Sequence, residues 1–113
     1  MIIYHNPRCR KSREALSLLQ ENGIEPTVRE YLKETPTVAE LKEVLAMLNI
    51  PAKELVRKEE EIYKKEYKNL NLNEEEWVQV MVENPKLIQR PIVIKNKKAI
   101  IGRPPQEVLN LVD

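Results

Sequence analysis

YHNPRCRKSR, residues 4–13, is the stretch of sequence that decides the fold. A short apolar segment, residues 1–4, leads into it, and Ala15, Leu16 and Leu19 follow it at helical spacing. This order of strand, proline-containing loop, cysteine and helix places Cys9 at or just before a helix N-terminus. There the unpaired backbone N–H groups and the positive end of the helix dipole stabilise an anion.

Cys9 is therefore a candidate nucleophile. A thiol beside cations at the start of a helix loses its proton below its free pKa of about 8.5, and the thiolate is the reactive form. A lone cysteine is more often a small buried hydrophobe. This one, however, is surrounded by four cations: Arg8, Arg10, Lys11 and Arg13. We expect a reactive thiolate rather than a core residue.

His5 is the only histidine of the chain and lies four residues before the cysteine. At the end of the first predicted strand it can tune the charge of the thiol, or it can point away as an ordinary polar residue. The residues alone leave both possibilities open.

Length and composition restrict the class of protein. The 113 residues predict one domain, and a net charge of +1 gives no overall field that attracts nucleic acid or membrane. No apolar run approaches the ~20 residues of a membrane span and no signal peptide is visible, so we expect a cytoplasmic protein without membrane or nucleic-acid partners. One cysteine excludes an internal disulfide, and with one histidine we expect no metal site.

The first part of the chain predicts a parallel β-α-β unit. The helix is expected from Arg10 to Asn22, with Gly23 as its C-terminal cap. Residues 27–32 alternate well enough for a second strand, and a crossover of this length implies a parallel, right-handed connection.

The middle of the chain predicts helices. Two capping boxes are visible, Thr37 with Glu40 and Asn73 with Glu76, and each precedes an apolar stripe at helical spacing. Between them, residues 58–69 are mostly charged and predict a solvated helix.

The last part predicts a hairpin followed by a helix. Two apolar runs, residues 91–95 and 98–101, flank Asn96-Lys97, and Pro104-Pro105 opens the final helix. With Asn96-Lys97 as the turn, Arg90 lies opposite Arg103 at the open end, where like charges are destabilising. Two planar guanidinium groups in this position suit a tetrahedral oxyanion between them. Two solvent-facing arginines at the strand ends are the alternative interpretation.

The chain resembles the glutaredoxin-coupled arsenate reductase family, a branch of the thioredoxin-like superfamily, over essentially its whole length. The motifs are YHNPRC with SR at residues 12–13, LVRK at 55–58, QRPIV at 89–93 and GRPP at 102–105. The resemblance implies an α/β thioredoxin-like fold, with a β-α-β half, a β-β-α half and a helical insertion between them. We expect one domain, residues 1–113, with the insertion at approximately residues 36–86.

The resemblance also implies an activity, arsenate reduction in arsenic detoxification. In the family, the cysteine matching Cys9 attacks arsenate to form a covalent adduct, and arginines matching Arg57, Arg90 and Arg103 surround the oxyanion. Glutathione then attacks the adduct, glutaredoxin reduces the resulting mixed disulfide, and arsenite is released. The expected partners are thus arsenate, glutathione as co-substrate and glutaredoxin, with no bound cofactor.

Four further residues have supporting roles by the same resemblance. The histidine matching His5 lowers the pKa of the thiol, Pro91 is the cis-proline of thioredoxin-like folds, and Ser12 and Arg13 complete the cysteine motif. The run Arg10-Lys11 departs from the family, in which small or polar residues are common at these positions.

Ser12 stands where a dithiol oxidoreductase has its second cysteine. The chain has no resolving thiol of its own, so an outside thiol is needed to complete a redox cycle. This excludes the arsenate reductases that use internal cysteines. Ala15 stands where a phosphatase loop needs arginine, which excludes that class as well.

Two other functions stay open. One is a redox-responsive regulatory protein of the same superfamily that binds RNA polymerase, a branch that typically has two cysteines at C-x-x-C, the second of which is Ser12 here. The other is a monothiol, glutaredoxin-like reductase of mixed disulfides, for which three arginines around the thiol have little use.

Overall fold

Two compact units make up the chain in a computed structural model that describes residues 1–112. The first comprises residues 1–34 and the chain from Arg90 onward, and the second comprises Thr35–Gln89. The predicted insertion, residues 36–86, lies within the second unit. Asp113, the last residue of the predicted domain, lies outside the described residues, and the single domain stays a prediction.

The first unit contains a four-stranded sheet in the order β2-β1-β3-β4. The strands are β1 (Ile2–Tyr4), β2 (Thr27–Arg29), β3 (Ile92–Lys95) and β4 (Lys98–Ile101). β1 and β2 pair in parallel, whereas β3 is antiparallel to both β1 and β4. Helix α1 (Arg10–Glu21) connects the parallel strands, and a 3₁₀ helix, Pro105–Leu111, follows β4. This is the β-α-β half and the β-β-α half of the predicted thioredoxin-like fold, which is thereby confirmed.

The core of this unit lies on the face of the sheet that the helices cover. Ile3 and Val93 are cross-strand partners and fully buried. Since alternate residues of a strand point to opposite faces, these two share one face. Ala15 and Leu19, one helical turn apart on α1, and Val108 of the 3₁₀ helix pack with them. The helical spacing after Cys9 therefore fixes α1 against the sheet.

Strand β2 ends three residues earlier than the sequence predicts. After Arg29 the chain bends into a turn, in which Glu30 accepts hydrogen bonds from the backbone N–H groups of Lys33 at 2.9 Å and Glu34 at 2.8 Å. These local bonds replace the ladder bonds that an extension of the strand to Leu32 would need. The turn therefore lies directly after the parallel pair of strands.

The final helix is a 3₁₀ helix. Pro104 and Pro105 have no N–H to donate, and the first turn closes by the shorter bond from Glu107 N–H to the Pro104 carbonyl oxygen at 3.0 Å. Val108 nevertheless reaches the core, as the apolar spacing predicts.

The second unit is helical, with α2 (Val38–Leu48), α3 (Ala52–Leu55), α4 (Glu74–Glu83) and a 3₁₀ turn at Pro85–Leu87. Both predicted capping boxes are present: Thr37 accepts from the Glu40 N–H at 3.1 Å, and Asn73 accepts from the Glu76 N–H at 2.9 Å. Each cap satisfies donors that the helix cannot pair internally. None of the helices formed by residues 1–112 has the length and apolar character needed to cross a bilayer.

The charged segment 58–69 is mostly exposed and contains a helix, as its composition predicts, but the helix is not of the α type. Its regular part is a five-residue π-helix, Tyr63–Tyr67, in which Lys68 N–H donates to the Tyr63 carbonyl oxygen at 2.8 Å. The rings of Tyr63 and Tyr67 lie 6.2 and 6.3 Å from that of Trp77. Packing of both tyrosines on one tryptophan, rather than exposed ion pairs, organises this segment.

Candidate active site

A tight turn presents the cysteine at the end of β1. Cys9 N–H donates to the Asn6 carbonyl oxygen at 2.9 Å, and Arg8 N–H donates to Asn6 Oδ1 at 3.0 Å. Asparagine in the first position and Pro7 in the second are the residues that this type of turn prefers. Cys9 is the N-cap residue of α1, with extended φ and ψ of −92° and 121°. The predicted position of the thiol at the helix start is confirmed.

The pKa of the Cys9 thiol lies below its ordinary value. Burial acts in the opposite direction and raises the pKa. The backbone N–H of Ser12, the guanidinium of Arg90 and the backbone N–H of Lys11 together lower it by more. The first turn of α1 and one arginine therefore stabilise the thiolate, as expected for an anion at a helix N-terminus.

Arg90 and Arg103 meet beside this thiol. The hairpin has the predicted register, with Lys95 opposite Lys98, and a bond of 2.9 Å from Gly102 N–H to the Pro91 carbonyl oxygen extends it past β3 and β4. Nη2 of Arg103 lies 3.8 Å from Cys9 Sγ, and Nε of the same residue donates to the Arg90 carbonyl oxygen at 2.8 Å. The guanidinium groups of both arginines thus lie beside the Cys9 sulfur.

Arg90 has an unused donor at this position. Its Nε is buried and has no hydrogen-bond partner, although the guanidinium also contacts the thiol. A buried N–H without an acceptor is costly, typically about 1–3 kcal/mol. An oxyanion beside Cys9 would supply acceptors for it.

Gly102 allows this end of the hairpin to close. A Cβ atom at this residue would lie 2.8 Å from Pro91 Cγ and 2.9 Å from Val108 Cγ1, distances that real side chains do not tolerate. The Arg90–Pro91 peptide bond is cis, as the family resemblance implies, and the Arg103–Pro104 bond is cis as well.

His5 points into the cysteine loop and contacts the serine of the motif. Its Nδ1 lies 2.6 Å from Ser12 Oγ, and this fully buried hydroxyl also accepts the Asn6 N–H at 3.1 Å. Burial lowers the pKa of His5; Glu30 raises it and Arg13 lowers it further, so the net shift favours the neutral imidazole. His5 thus contacts the residue whose backbone N–H faces the sulfur.

Arg13 and Arg57 are the two remaining predicted residues. Arg13 Nη1 donates to the Pro7 carbonyl oxygen at 3.0 Å, which ties α1 to the loop. Arg57 belongs to the second unit, where it follows α3 and its backbone N–H donates to the Leu87 carbonyl oxygen at 2.7 Å. Its place beside the oxyanion stays a prediction.

Comparison with known proteins identifies the family of this site. The model of the ArsC family matches residues 4–111, which include every site residue described above. This chain belongs to the ArsC family. The family membership inferred from the sequence motifs is thereby confirmed.

Full-length relatives support the ArsC assignment. The chain is 52% identical over 112 residues to the uncharacterized protein YfgD of Escherichia coli K12, covering 97% of this chain and 94% of that protein. It is 43% identical over 114 residues to an arsenate reductase of Haemophilus influenzae, covering 99% and 98%. The solved structure of an arsenate reductase from Vibrio cholerae superimposes with a TM-score of 0.94 at 43% identity, covering 98% of this chain and 96% of that one.

Two residues of this ArsC site, Asn6 and Gly102, were not predicted as site residues from the sequence. Asn6 makes three hydrogen bonds that shape the loop, through its N–H, its carbonyl oxygen and its Oδ1. The Asn-Pro dipeptide is a recognised turn signal and could have identified it. Gly102 is one of only two glycines, but its close approach to Pro91 is a tertiary contact that no local pattern reveals.

Proposed function

We propose that this protein reduces arsenate to arsenite. The observation that carries the proposal is the position of Cys9, a thiol with a lowered pKa that contacts the guanidinium groups of both Arg90 and Arg103. A general disulfide reductase has no use for two arginines at its sulfur. A tetrahedral oxyanion does, because it needs several donors on several sides.

In the first step the Cys9 thiolate attacks arsenic. An S–As bond forms, an As–O bond breaks, and the leaving hydroxide takes up a proton and departs as water. The thiolate and arsenate repel each other, and the two arginines with the N–H groups at the start of α1 offset that repulsion. We assign Arg57 as the third donor to the oxyanion.

In the second step a thiol from solution attacks the Cys9 sulfur. The S–As bond breaks, its electron pair stays with arsenic, and As(V) becomes As(III) while a disulfide forms. The chain contains one cysteine, and Ser12 stands at the resolving position, so the second thiol comes from outside. We assign this role to glutathione, and the reduction of the resulting Cys9–glutathione disulfide to glutaredoxin. The cytoplasm, with its reducing glutathione pool, is the compartment in which this cycle can run.

The relatives support the same activity. Proteins named arsenate reductase, from Haemophilus influenzae and Vibrio cholerae, share 43% of their residues with this chain over nearly its whole length. These names support the reaction, and the reductant is identified by the assay below.

A coupled assay tests the proposal. NADPH oxidation, followed with glutathione reductase present, should require arsenate, glutathione and glutaredoxin together, and Cys9→Ser should abolish it while the fold is retained. Arsenite formation by Cys9→Ser would show that the nucleophile is misassigned. Turnover of a small mixed disulfide, with none of arsenate, would instead favour the monothiol glutaredoxin-like activity.

A further inference from the structure

A cleft of about 240 Å³ lies beside the cysteine loop, within the first unit. One side is formed by His5, Asn6, Pro7 and Arg8, the four residues before Cys9. The other side is formed by Glu30, Leu32 and Lys33, in the turn that follows β2. Neither the oxyanion site nor the core of the fold uses the side chains of Pro7, Arg8, Leu32 and Lys33, and Glu30 acts on His5 through its charge.

The topology explains why the two sides meet. β1 and β2 run in parallel with Tyr4 opposite Arg29, and His5 N–H continues the pairing by donating to the Arg29 carbonyl oxygen at 2.9 Å. The loops that leave the carboxyl ends of neighbouring parallel strands emerge at the same edge of a sheet, where ligands of α/β proteins bind. The cysteine loop and the turn at residues 30–33 are these two loops.

The charges in the cleft are mixed. Lys33 Nζ lies 3.8 Å from Glu30 Oε1, a loose pair, and the two side chains are 81% and 39% exposed. Arg8 is also exposed, and Leu32 exposes 38% of its surface although it is apolar. A zwitterionic α-amino acid group is complementary to this arrangement, because it presents a carboxylate and an ammonium on one carbon.

We propose that this cleft binds the γ-glutamyl arm of glutathione. The α-carboxylate of the arm pairs with Lys33 and Arg8, its ammonium pairs with Glu30, and its methylene groups lie against Leu32 and Pro7. This inference rests on the proposed function, since it assigns the binding site of the thiol that resolves the Cys9–arsenic adduct. Anchoring the arm beside Arg8 brings the cysteinyl thiol to the residue next in the chain, Cys9.

The test uses a single turnover without glutaredoxin, so that glutathione acts only at this step. Preformed adduct is mixed with increasing thiol, and arsenite and the Cys9 mixed disulfide are measured. Glutathione is compared with N-acetylcysteinylglycine, in which an acetyl group replaces the γ-glutamyl arm and the neighbouring amide is kept. With the wild-type protein, removal of the arm should raise the half-saturating thiol concentration by about 1.4- to 5-fold for each exposed charge pair that is lost.

Variants locate the effect in the cleft. Lys33→Glu should raise the half-saturating concentration of glutathione and leave that of N-acetylcysteinylglycine unchanged. Arg10→Ala is the matched control, because Arg10 also adjoins Cys9 but pairs with Glu14 at 2.8 Å, outside the cleft. Arg10→Ala should behave as the wild type with both thiols. If Lys33→Glu uses glutathione as well as the wild type does, the assignment is wrong.

A binding measurement separates this inference from the proposed reaction. S-methylglutathione cannot react, and it should shift the amide NMR signals of residues 30–33 in the wild type but not in Lys33→Glu. If no arsenite forms with any thiol while these shifts occur, the proposed function is wrong and the assignment of the cleft as a glutathione site is supported. If arsenite forms and the shifts do not occur, the cleft assignment fails alone.

Discussion

The side chain of Arg103 is fixed by the backbone of Arg90: its Nε donates to the Arg90 carbonyl oxygen at 2.8 Å. The repulsion between the two like charges is thereby partly offset, because one N–H of the Arg103 guanidinium is paired with a carbonyl dipole. In this orientation of the guanidinium group, Nη2 of Arg103 points at Cys9 Sγ, 3.8 Å away. The oxyanion donors are thus held in place before any substrate arrives, which is the condition for strong electrostatic stabilisation.

Replacing either arginine by lysine should reduce arsenate reduction on the order of 10²-fold, because lysine keeps the charge but loses the planar set of donors. Arg103→Lys should be the more harmful, since one ammonium cannot contact both the Arg90 carbonyl and the anion. The measurement is kcat and KM for arsenate, with Arg10→Lys as control, because the Arg10 side chain is 84% exposed. Full activity in Arg90→Lys and Arg103→Lys would contradict the assignment.

Removing the charge at residue 90 should raise the pKa of the Cys9 thiol, because the Arg90 guanidinium is among the groups that lower it. The rate of alkylation by iodoacetamide, followed against pH, should show a higher midpoint in Arg90→Gln than in the wild type. Arg10→Gln is the control, because it also removes one positive charge near Cys9 but at an exposed side chain. An unchanged midpoint in Arg90→Gln would show that the helix N-terminus alone sets the pKa.

The same lowered pKa makes stability depend on pH. A thiol whose pKa is lower in the folded state binds fewer protons there than in the unfolded state, so folding is favoured more as pH rises. The contribution is complete above the pKa of an unfolded cysteine and is lost as pH falls through the folded pKa. The difference in Tm between wild type and Cys9→Ser should therefore grow in favour of the wild type as pH increases across that window. A difference independent of pH would mean that the thiolate is not stabilised by folding.

Ser12→Ala should destabilise the protein by about 1–3 kcal/mol, because it leaves the buried N–H of Asn6 without its acceptor and His5 without its partner. Ser17→Ala, on the exposed side of the same helix, is the matched control and should change little. Chemical denaturation gives both free energies. Alkylation of Ser12→Ala should in addition show a raised midpoint, because the Ser12 N–H that faces the sulfur loses its fixed position. Equal stability of Ser12→Ala and Ser17→Ala would show that the Ser12 hydroxyl does not stabilise the cysteine loop.

Gly102→Ala should impair both stability and activity. The new methyl group would collide with Pro91 and Val108, and overpacking of this kind costs typically about 1–3 kcal/mol. Because Pro91 follows Arg90, the displacement should also weaken arsenate binding.

Gly23→Ala provides the comparison. The φ of 77° at Gly23 makes alanine unfavourable, but the added Cβ has no contact within 4 Å, and the residue lies beyond the far end of α1 from Cys9. Gly23→Ala should lose stability and keep its KM for arsenate. A KM for arsenate in Gly102→Ala equal to that of the wild type would show that Gly102 does not influence the site.

Features determined by neighbours in the sequence were predictable. The turn at Asn96-Lys97 fixes the hairpin register and thereby the meeting of Arg90 with Arg103. The capping boxes at Thr37 and Asn73 likewise depend on residues three positions away.

Features determined by packing were not predictable. The π-helix at Tyr63–Tyr67 accompanies contacts with Trp77, and the early end of β2 depends on a turn with no glycine or proline to signal it. For His5, the sequence left two orientations open, and the buried Ser12 hydroxyl selects one of them. The bond from Arg103 to the Arg90 carbonyl joins a side chain to a backbone atom, a class of contact that residue patterns do not report.

The contact between Cys9 and Arg103 joins residues 94 positions apart, and this separation has a consequence during synthesis. At roughly 5–20 residues per second, the ribosome adds Arg103 about 5–20 s after Cys9. Throughout that interval the nascent thiol lacks the Arg103 guanidinium that lies beside it in the folded protein. The contact that joins the thiol to Arg103 therefore forms only after the ribosome has added Arg103.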